Sequence, residues 1–134
     1  MIGYCLAPQY AEAEVICRGT LEKLRRVLGP NHRSTLMSSS NLAAALSSQG
    51  KYAEAVEIER EVLASMTRLL GAEHEQSLAS ATNLAGSLFK CGQNTECEQL
   101  LRETLALARD TLGPTRERTQ KILAGMRRLG LVAS

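Results

Sequence analysis

The sequence predicts an all-α protein: a right-handed α-solenoid of antiparallel helix pairs, with about five to six helices. Three observations lead to this prediction. A Leu-Gly motif begins at Leu28, Leu70 and Leu112, so its copies follow one another at a constant 42 residues. Between these motifs, apolar residues recur at steps of three and four, as on one face of a helix. Aromatic residues make up only 3% of the chain, which suits helices that pack closely over alanine better than it suits a sheet sandwich.

The fixed period also predicts the domain organisation. A repeat of this length is typical of stacked supersecondary units, and 134 residues give room for one domain of ordinary size. We therefore expect a single repeat domain. It should contain a partial repeat over residues 1–27, repeats over 28–69 and 70–111, and a terminal capping helix over 112–134.

Charge and hydropathy argue against two classes of partner. The 16 basic and 14 acidic residues leave a formal charge of +2, whereas a nucleic-acid interface needs a basic excess gathered on one face. No apolar run approaches the roughly 18 residues of a membrane span, and the first residues do not have the pattern of a signal peptide. We expect a soluble, cytoplasmic protein with no nucleic-acid or membrane partner.

The four cysteines are expected to be free thiols. Cys5, Cys17, Cys91 and Cys97 form no C-x-x-C pair, and neither histidine lies at a metal-finger spacing from them. Buried or partly buried thiols in a reducing compartment fit this pattern. A disulfide between Cys91 and Cys97 is the alternative.

The first 28 residues predict a helical stub and then a complete helix. In the 42-residue register, Met1 corresponds to Ala43, in the middle of a later helix. Pro8 stands where the later copies have a turn glycine, and proline is tolerated in the first turn of a following helix. We therefore expect a break at Pro8 and a helix over 9–27, with Glu14 on its solvated side. The apolar stripe of this helix is Ala13, Ile16, Thr20, Leu21, Leu24 and Leu28.

Each of the two full copies predicts a pair of helices. The first copy gives helices over 33–49 and 52–69, separated by Gly50, and the second gives helices over 75–91 and 95–111, separated by Gly92. One more helix is expected over 116–129. The charged residues between the apolar stripes should be solvated, and in the second helix of the first copy they are Glu57, Glu59, Arg60 and Glu61.

Motifs in the two full copies carry a resemblance to a known family. The first copy has Leu28-Gly29-Pro30-x-His32, Asn41-Leu42-Ala43, Gly50-Lys51-Tyr52 and Glu54-Ala55, and the second has Leu70-Gly71-x-x-His74, Asn83-Leu84-Ala85, Gly92 and Glu96-Cys97. In these motifs the chain resembles the tetratricopeptide repeat, and the 42-residue variety is similar to the repeats of kinesin light chains. The last copy departs from the pattern, with Arg116 in place of histidine and Gly125 in place of asparagine.

The resemblance implies a non-enzymatic scaffold that binds a peptide or partner segment in the concave groove lined by the first helix of each pair. The candidate groove residues are Ser40, Asn41, Ala44, Ser47, Ser48, Thr82, Asn83, Gly86, Phe89, Lys90, Lys121 and Arg128. The alternative is a structural or self-assembly module. An incomplete first repeat would leave Ile16 and Leu21 partly uncovered for a second copy or for the rest of a longer protein.

Each kind of groove candidate also has a structural interpretation. The amides of Asn41 and Asn83 offer both a donor and an acceptor to a peptide backbone, or else they tie one helix to the next repeat. The three basic candidates attract an acidic peptide, or else they form a solvated face. Phe89 anchors a partner if its ring is exposed and fills the core if the ring is buried.

Nothing in the sequence points to catalysis or to a cofactor. The glycine-rich phosphate-binding motifs are absent, and no nucleophile, base and acid are brought together by their spacing. His32 and His74 fall just before predicted helix starts, where capping or loop hydrogen bonds are expected rather than a ligand role. We therefore expect no enzymatic activity, no cofactor and no metal site.

Overall fold

Six α-helices make up the described part of the chain. The computed structural model describes residues 2–113 and 116–131, and over these residues it contains no β-strand. In order, the helices are α1 (Ile2–Leu28), α2 (Arg33–Ser48), α3 (Tyr52–Leu70), α4 (Glu75–Lys90), α5 (Asn94–Thr111) and α6 (Glu117–Arg128). The predicted all-α class is confirmed, and the boundaries predicted for α2 to α6 agree with the structure within one residue.

One predicted boundary is wrong, because α1 continues without a break through Pro8. At this register position the later copies turn on Gly50 and Gly92, whose φ angles are 83° and 86°. The proline ring fixes φ near about −65°, which agrees with helical backbone and cannot form such a left-handed turn. Helix α1 is therefore a single helix of 27 residues.

The chain divides into two compact units, Met1–Ser65 and Met66–Ser134. In the first unit α1 packs against α2, and the core cluster is Leu21, Leu42, Ala43, Leu46 and Ala55. Leu46 and both alanines of this cluster are at most 1% exposed. The organisation into one domain with repeats beginning at 28, 70 and 112 stays a prediction.

The apolar stripe predicted for α1 is rotated in the structure. Leu21 is only 4% exposed, contrary to the expectation that it is partly uncovered, and Cys17 packs against the same core cluster. Ile16 is 67% exposed and Leu28 is 41% exposed. Residues 17 and 21 lie one turn apart and face α2, whereas residue 16 points about 100° away from residue 17 around the helix.

A polar network joins α1 to the turn between α2 and α3. Gln49 Nε2 donates to Glu14 Oε1 at 2.8 Å, and Lys51 Nζ lies 3.0 Å from the same oxygen. Arg18 bonds Glu14 Oε2 at 2.8 Å through Nε and Glu54 Oε2 at 2.7 Å through Nη2. The bonds from Gln49, Arg18 and Lys51, in that order of effect, lower the pKa of Glu14 to about 2. Glu14 is therefore a bridging residue, only 14% exposed, and not the solvated one predicted.

In the second unit α4 packs against α5, and α6 contacts both of these helices. Buried apolar side chains come from all three helices, and they include Leu78, Leu84, Ala85 and Leu88 of α4, Cys97, Leu101, Leu105 and Ala108 of α5, and Ile122 and Met126 of α6. Cys17, Cys91 and Cys97 are free thiols, as predicted, while the side chain of Cys5 lies outside the described residues. Burial raises the pKa of the Cys97 thiol.

Glu59 is buried, contrary to the prediction of a solvated flank. Its side chain is 6% exposed, whereas Glu57, Arg60 and Glu61 are exposed as predicted. In the 42-residue register Glu59 corresponds to Leu101, which is 2% exposed, so this position faces the interior in both copies. Glu59 has an interaction partner, and a buried charge requires one.

Histidines cap the helices α2 and α4. His32 Nδ1 accepts a hydrogen bond from the Ser34 N–H at 3.0 Å, and His74 Nδ1 accepts one from the Gln76 N–H at 3.0 Å. The predicted structural role of both histidines is confirmed. Arg116, at the same register position, precedes α6 without any side-chain capping bond.

A hydroxyl at the third residue of α2, α4 and α6 faces the loop before its helix. Thr35 Oγ1 donates to the Gly29 carbonyl at 2.8 Å, and Thr119 Oγ1 donates to the Gly113 carbonyl at 2.8 Å. Ser77 holds the corresponding position and is 1% exposed, but its Oγ has no hydrogen-bond partner in the described part of the chain. Serine lacks the β-methyl group that restricts χ1 in threonine.

Glu14→Gln should remove a pH-dependent part of the stability. The folded pKa of about 2 lies below the ordinary value of 4.5, so ionised Glu14 stabilises the fold above pH 4.5 and loses this effect as the pH falls towards 2. Urea unfolding should find the wild type more stable than Glu14→Gln at neutral pH, with a smaller difference in acid. A difference that does not change with pH would contradict the network. Glu12→Gln, in the same helix but outside the network, is the control.

Thr35→Val should lower the free energy of unfolding by about 1 kcal/mol, because the Gly29 carbonyl loses the hydrogen bond from the Thr35 hydroxyl and keeps only the longer one from the His32 N–H at 3.5 Å. Ser77→Ala should raise the free energy of unfolding by about 1 kcal/mol or more, because the hydroxyl removed is buried without a partner. Chemical denaturation of the two variants beside the wild type measures both values. Equal losses would show that the threonine bond does not stabilise the loop.

Candidate functional site

The predicted groove residues of the first copy lie along one side of α2. Asn41, Ala44 and Ser48 are exposed, and Ser40 and Ser47 are partly exposed. Their spacing of three and four residues places them on one face of the helix. They form a stripe of small and polar side chains whose hydrogen-bonding groups are accessible to a ligand.

The second unit contains a cavity of about 420 Å³ between α4, α5 and α6. Five of the seven candidates predicted in this unit line it together, and they are Thr82, Gly86, Phe89, Lys90 and Arg128. Asn83 and Lys121 are exposed on the same helices but are not among the lining residues. The register therefore identified residues from two separate helices that do meet in space.

Two helical glycines line this cavity. A Cβ atom placed on Gly86 of α4 or on Gly125 of α6 would meet no atom within 4 Å, so close packing does not require glycine at either position. Glycine inside a helix costs about 0.5–1 kcal/mol relative to alanine. A larger side chain at either position would project into open space.

The wall of the cavity is largely apolar. Phe89 is 40% exposed, so its ring lies between the core and the solvent, and Leu101 of α5 is 2% exposed and forms part of the floor. Leu129, partly buried, also lines the cavity. An apolar wall with a few polar groups at its edge is the usual character of a ligand site.

Of the three basic residues predicted for the groove, two supply positive charge at this cavity. Lys90 and Arg128 line it and are exposed, although Lys90 also has an interaction partner. Lys121 lies outside the lining and pairs with Glu117 of its own helix at 3.1 Å. Attraction of an acidic group therefore depends on Lys90 and Arg128.

Three lining residues were not predicted: Leu101, Gly125 and Leu129. The sequence does indicate Gly125 as a groove residue, because it takes the register position of the groove candidates Asn41 and Asn83. Leu129 follows it by one helical turn. Leu101 belongs to the second helix of its pair, which the groove assignment did not consider.

Two kinds of feature are absent from residues 2–113 and 116–131. These residues include no group of three or more His, Cys, Asp or Glu side chains placed to hold a metal ion. None of their helices is long and apolar enough to cross a membrane.

Known proteins share the repeat pattern and the fold. Two models of the tetratricopeptide repeat match residues 3–68 and 77–116, and together they span most of the chain. Two solved structures of nearly identical TPR-like repeats, from a protein assigned as a kinesin light chain of Podosopora anserina and from a point variant of it, are each 26% identical with a TM-score of 0.79. The match covers 96% of this chain and 64% of each of those chains. No curated protein matches the sequence. The likeness confirms the predicted α-solenoid fold class.

Gly86→Ala and Gly125→Ala should each raise the free energy of unfolding by about 0.5–1 kcal/mol, because alanine favours the helix and the added methyl group meets no atom. Gly71→Ala is the matched control in the same unit. Its φ angle of 93° strains any side chain, so this variant should be less stable than the wild type. Thermal and chemical unfolding measure all three, and destabilisation by either helical substitution would contradict the open cavity.

Proposed function

Because the chain belongs to the tetratricopeptide repeat family and is of the kinesin-light-chain-like type, we propose that it is a non-enzymatic scaffold that binds an extended peptide of a partner protein between α4 and α6. Tetratricopeptide repeats are in general protein-interaction scaffolds. The observation that carries the proposal is the cavity in which Thr82, Gly86, Phe89 and Lys90 of α4 meet Arg128 of α6.

The chemistry of this cavity supports a peptide with an apolar side chain and a nearby carboxylate. The exposed ring of Phe89 offers an apolar contact, and the open space at Gly86 lets a peptide backbone approach the helix. Thr82 Oγ1 donates to the Leu78 carbonyl at 2.8 Å, so its lone pairs remain available to accept a peptide N–H. Lys90 and Arg128 attract an acidic group at the edge of the cavity.

Phe89→Ala should weaken peptide binding by at least about tenfold, because an aromatic anchor in the middle of an interface contributes more than its share of the affinity. Peptides selected from a phage-displayed library on the wild-type protein serve as the probe, and fluorescence anisotropy measures their dissociation constants. Leu69→Ala is the matched control, since Leu69 is 49% exposed and does not line the cavity. Circular dichroism should show both variants folded.

Two outcomes would remove the groove assignment. In one, every selected peptide binds Phe89→Ala as well as it binds the wild type. In the other, Leu69→Ala loses as much affinity as Phe89→Ala. Arg128→Gln adds a separate test of charge, because it should weaken acidic peptides more than neutral ones and mainly at low salt.

Self-assembly is the second candidate function, and the exposed apolar side chains of α1 support it. Val15, Ile16 and Val27 are 71%, 67% and 78% exposed, and burial against a second copy would remove this apolar surface from water. Sedimentation over a range of micromolar concentrations distinguishes the two functions. A strict monomer throughout that range would remove this candidate.

A further inference from the structure

A second cavity, of about 500 Å³, lies in the first unit between α1, α2 and α3. Its floor is apolar and includes Leu42 and Val62, each 2% exposed. Its rim is charged, with four glutamates facing two arginines. None of these residues belongs to the proposed peptide site of the second unit, so any ligand of this cavity would be a separate one.

The acidic groups of the rim are not fully neutralised. Arg18 is already bonded to Glu14 at 2.8 Å and to Glu54 at 2.7 Å. Arg25 is the other basic residue of the lining. Glu57 and Glu61 lie one turn apart on α3, and both are exposed. Two like charges at this spacing destabilise a helix by about 0.2–0.5 kcal/mol, which a cation placed between them would relieve.

A hydroxyl of a largely buried residue also lies at this cavity. Ser39 lines the cavity and is 7% exposed, and its Oγ is not among the side-chain atoms of the described residues that are buried without a partner. A donor brought in by a ligand can take the place of water at this hydroxyl.

The internal repeat shows that the fold does not need these polar groups. In the 42-residue register Ser39 corresponds to Ala81 and Glu57 corresponds to Gln99. Ala81 is 6% exposed, so the position is equally buried in the second copy and is occupied there by a methyl group. The hydroxyl and the extra carboxylate are therefore particular to the copy that has this cavity.

We propose that this cavity binds a lysine side chain of a partner protein. The four-carbon stem of lysine covers apolar surface while its charged end stays at a polar rim, which matches the floor of Leu42 and Val62. The ammonium group has three donors and can serve Glu57, Glu61 and the Ser39 hydroxyl together. The carboxylates are not gathered closely enough to form a metal-binding group within the described residues, so a long, flexible cation fits them better than a bare ion.

A fluorescent lysine-rich peptide and the same peptide with its lysines acetylated are the probes, with fluorescence anisotropy at low salt as the measurement. The wild type should bind the first peptide and not the second. Glu57→Gln with Glu61→Gln should weaken binding by about fivefold or more. Ser39→Ala should weaken it by about fivefold through the lost hydrogen bond, and its fold should be intact because Ala81 is tolerated at the same position.

Glu12→Gln with Glu103→Gln is the matched control, since it makes the same change of net charge outside the cavity. If this control weakens binding as much as the cavity variant does, the attraction is general and the proposal is overturned. Equal binding of the acetylated peptide also overturns it, as does no binding of the lysine-rich peptide at millimolar concentration. Free spermidine serves as a competitor that tests for a small amine. If spermidine displaces the fluorescent peptide at the same concentration as the unlabelled peptide does, the ligand is a small amine, and the proposal that it is a lysine of a protein is overturned.

Discussion

Close packing of helices over small side chains is the constraint on which the rest of the structure depends. Ala43 of α2 and Ala55 of α3 belong to one core cluster and are 1% and 0% exposed. Their register equivalents in the second unit, Ala85 and Cys97, are 0% and 1% exposed. Small residues at these positions allow the leucines beside them to be removed from water, which is the main stabilising term in such a repeat.

Local signals in the sequence predicted the helices well. The predictions that failed concern residues whose environment depends on packing between helices or on backbone geometry. Glycines and histidine caps fixed the ends of α2 and α4, because such signals act within a few residues. The charge of Glu14 and Glu59 predicts that both side chains are exposed to solvent. In the structure, however, Glu14 bonds residues of other segments, and Glu59 occupies a position that faces the interior in both copies. Pro8 was interpreted as a turn by analogy with glycine, although its ring cannot adopt the φ angle that the turn needs.

The two cavities differ in how far the sequence could indicate them. The register named Thr82, Gly86, Phe89, Lys90 and Arg128 as groove residues, and these line one cavity together with Gly125, which departs from the repeat. The cavity of the first unit had no such signal. Ser39 and Glu57 are distant in the chain and ordinary in type, and only the packing of α1, α2 and α3 brings them to one place.

The most direct test of the packing constraint compares two substitutions in α3. Ala55 is fully buried and Ala53, half a turn away, is exposed. Ala55→Leu should lower the free energy of unfolding by about 1–3 kcal/mol, because the enlarged side chain forces the helices apart. Ala53→Leu should change it by less than about 0.5 kcal/mol. Equal effects of the two substitutions in chemical denaturation would contradict the dependence of the fold on this close helix contact.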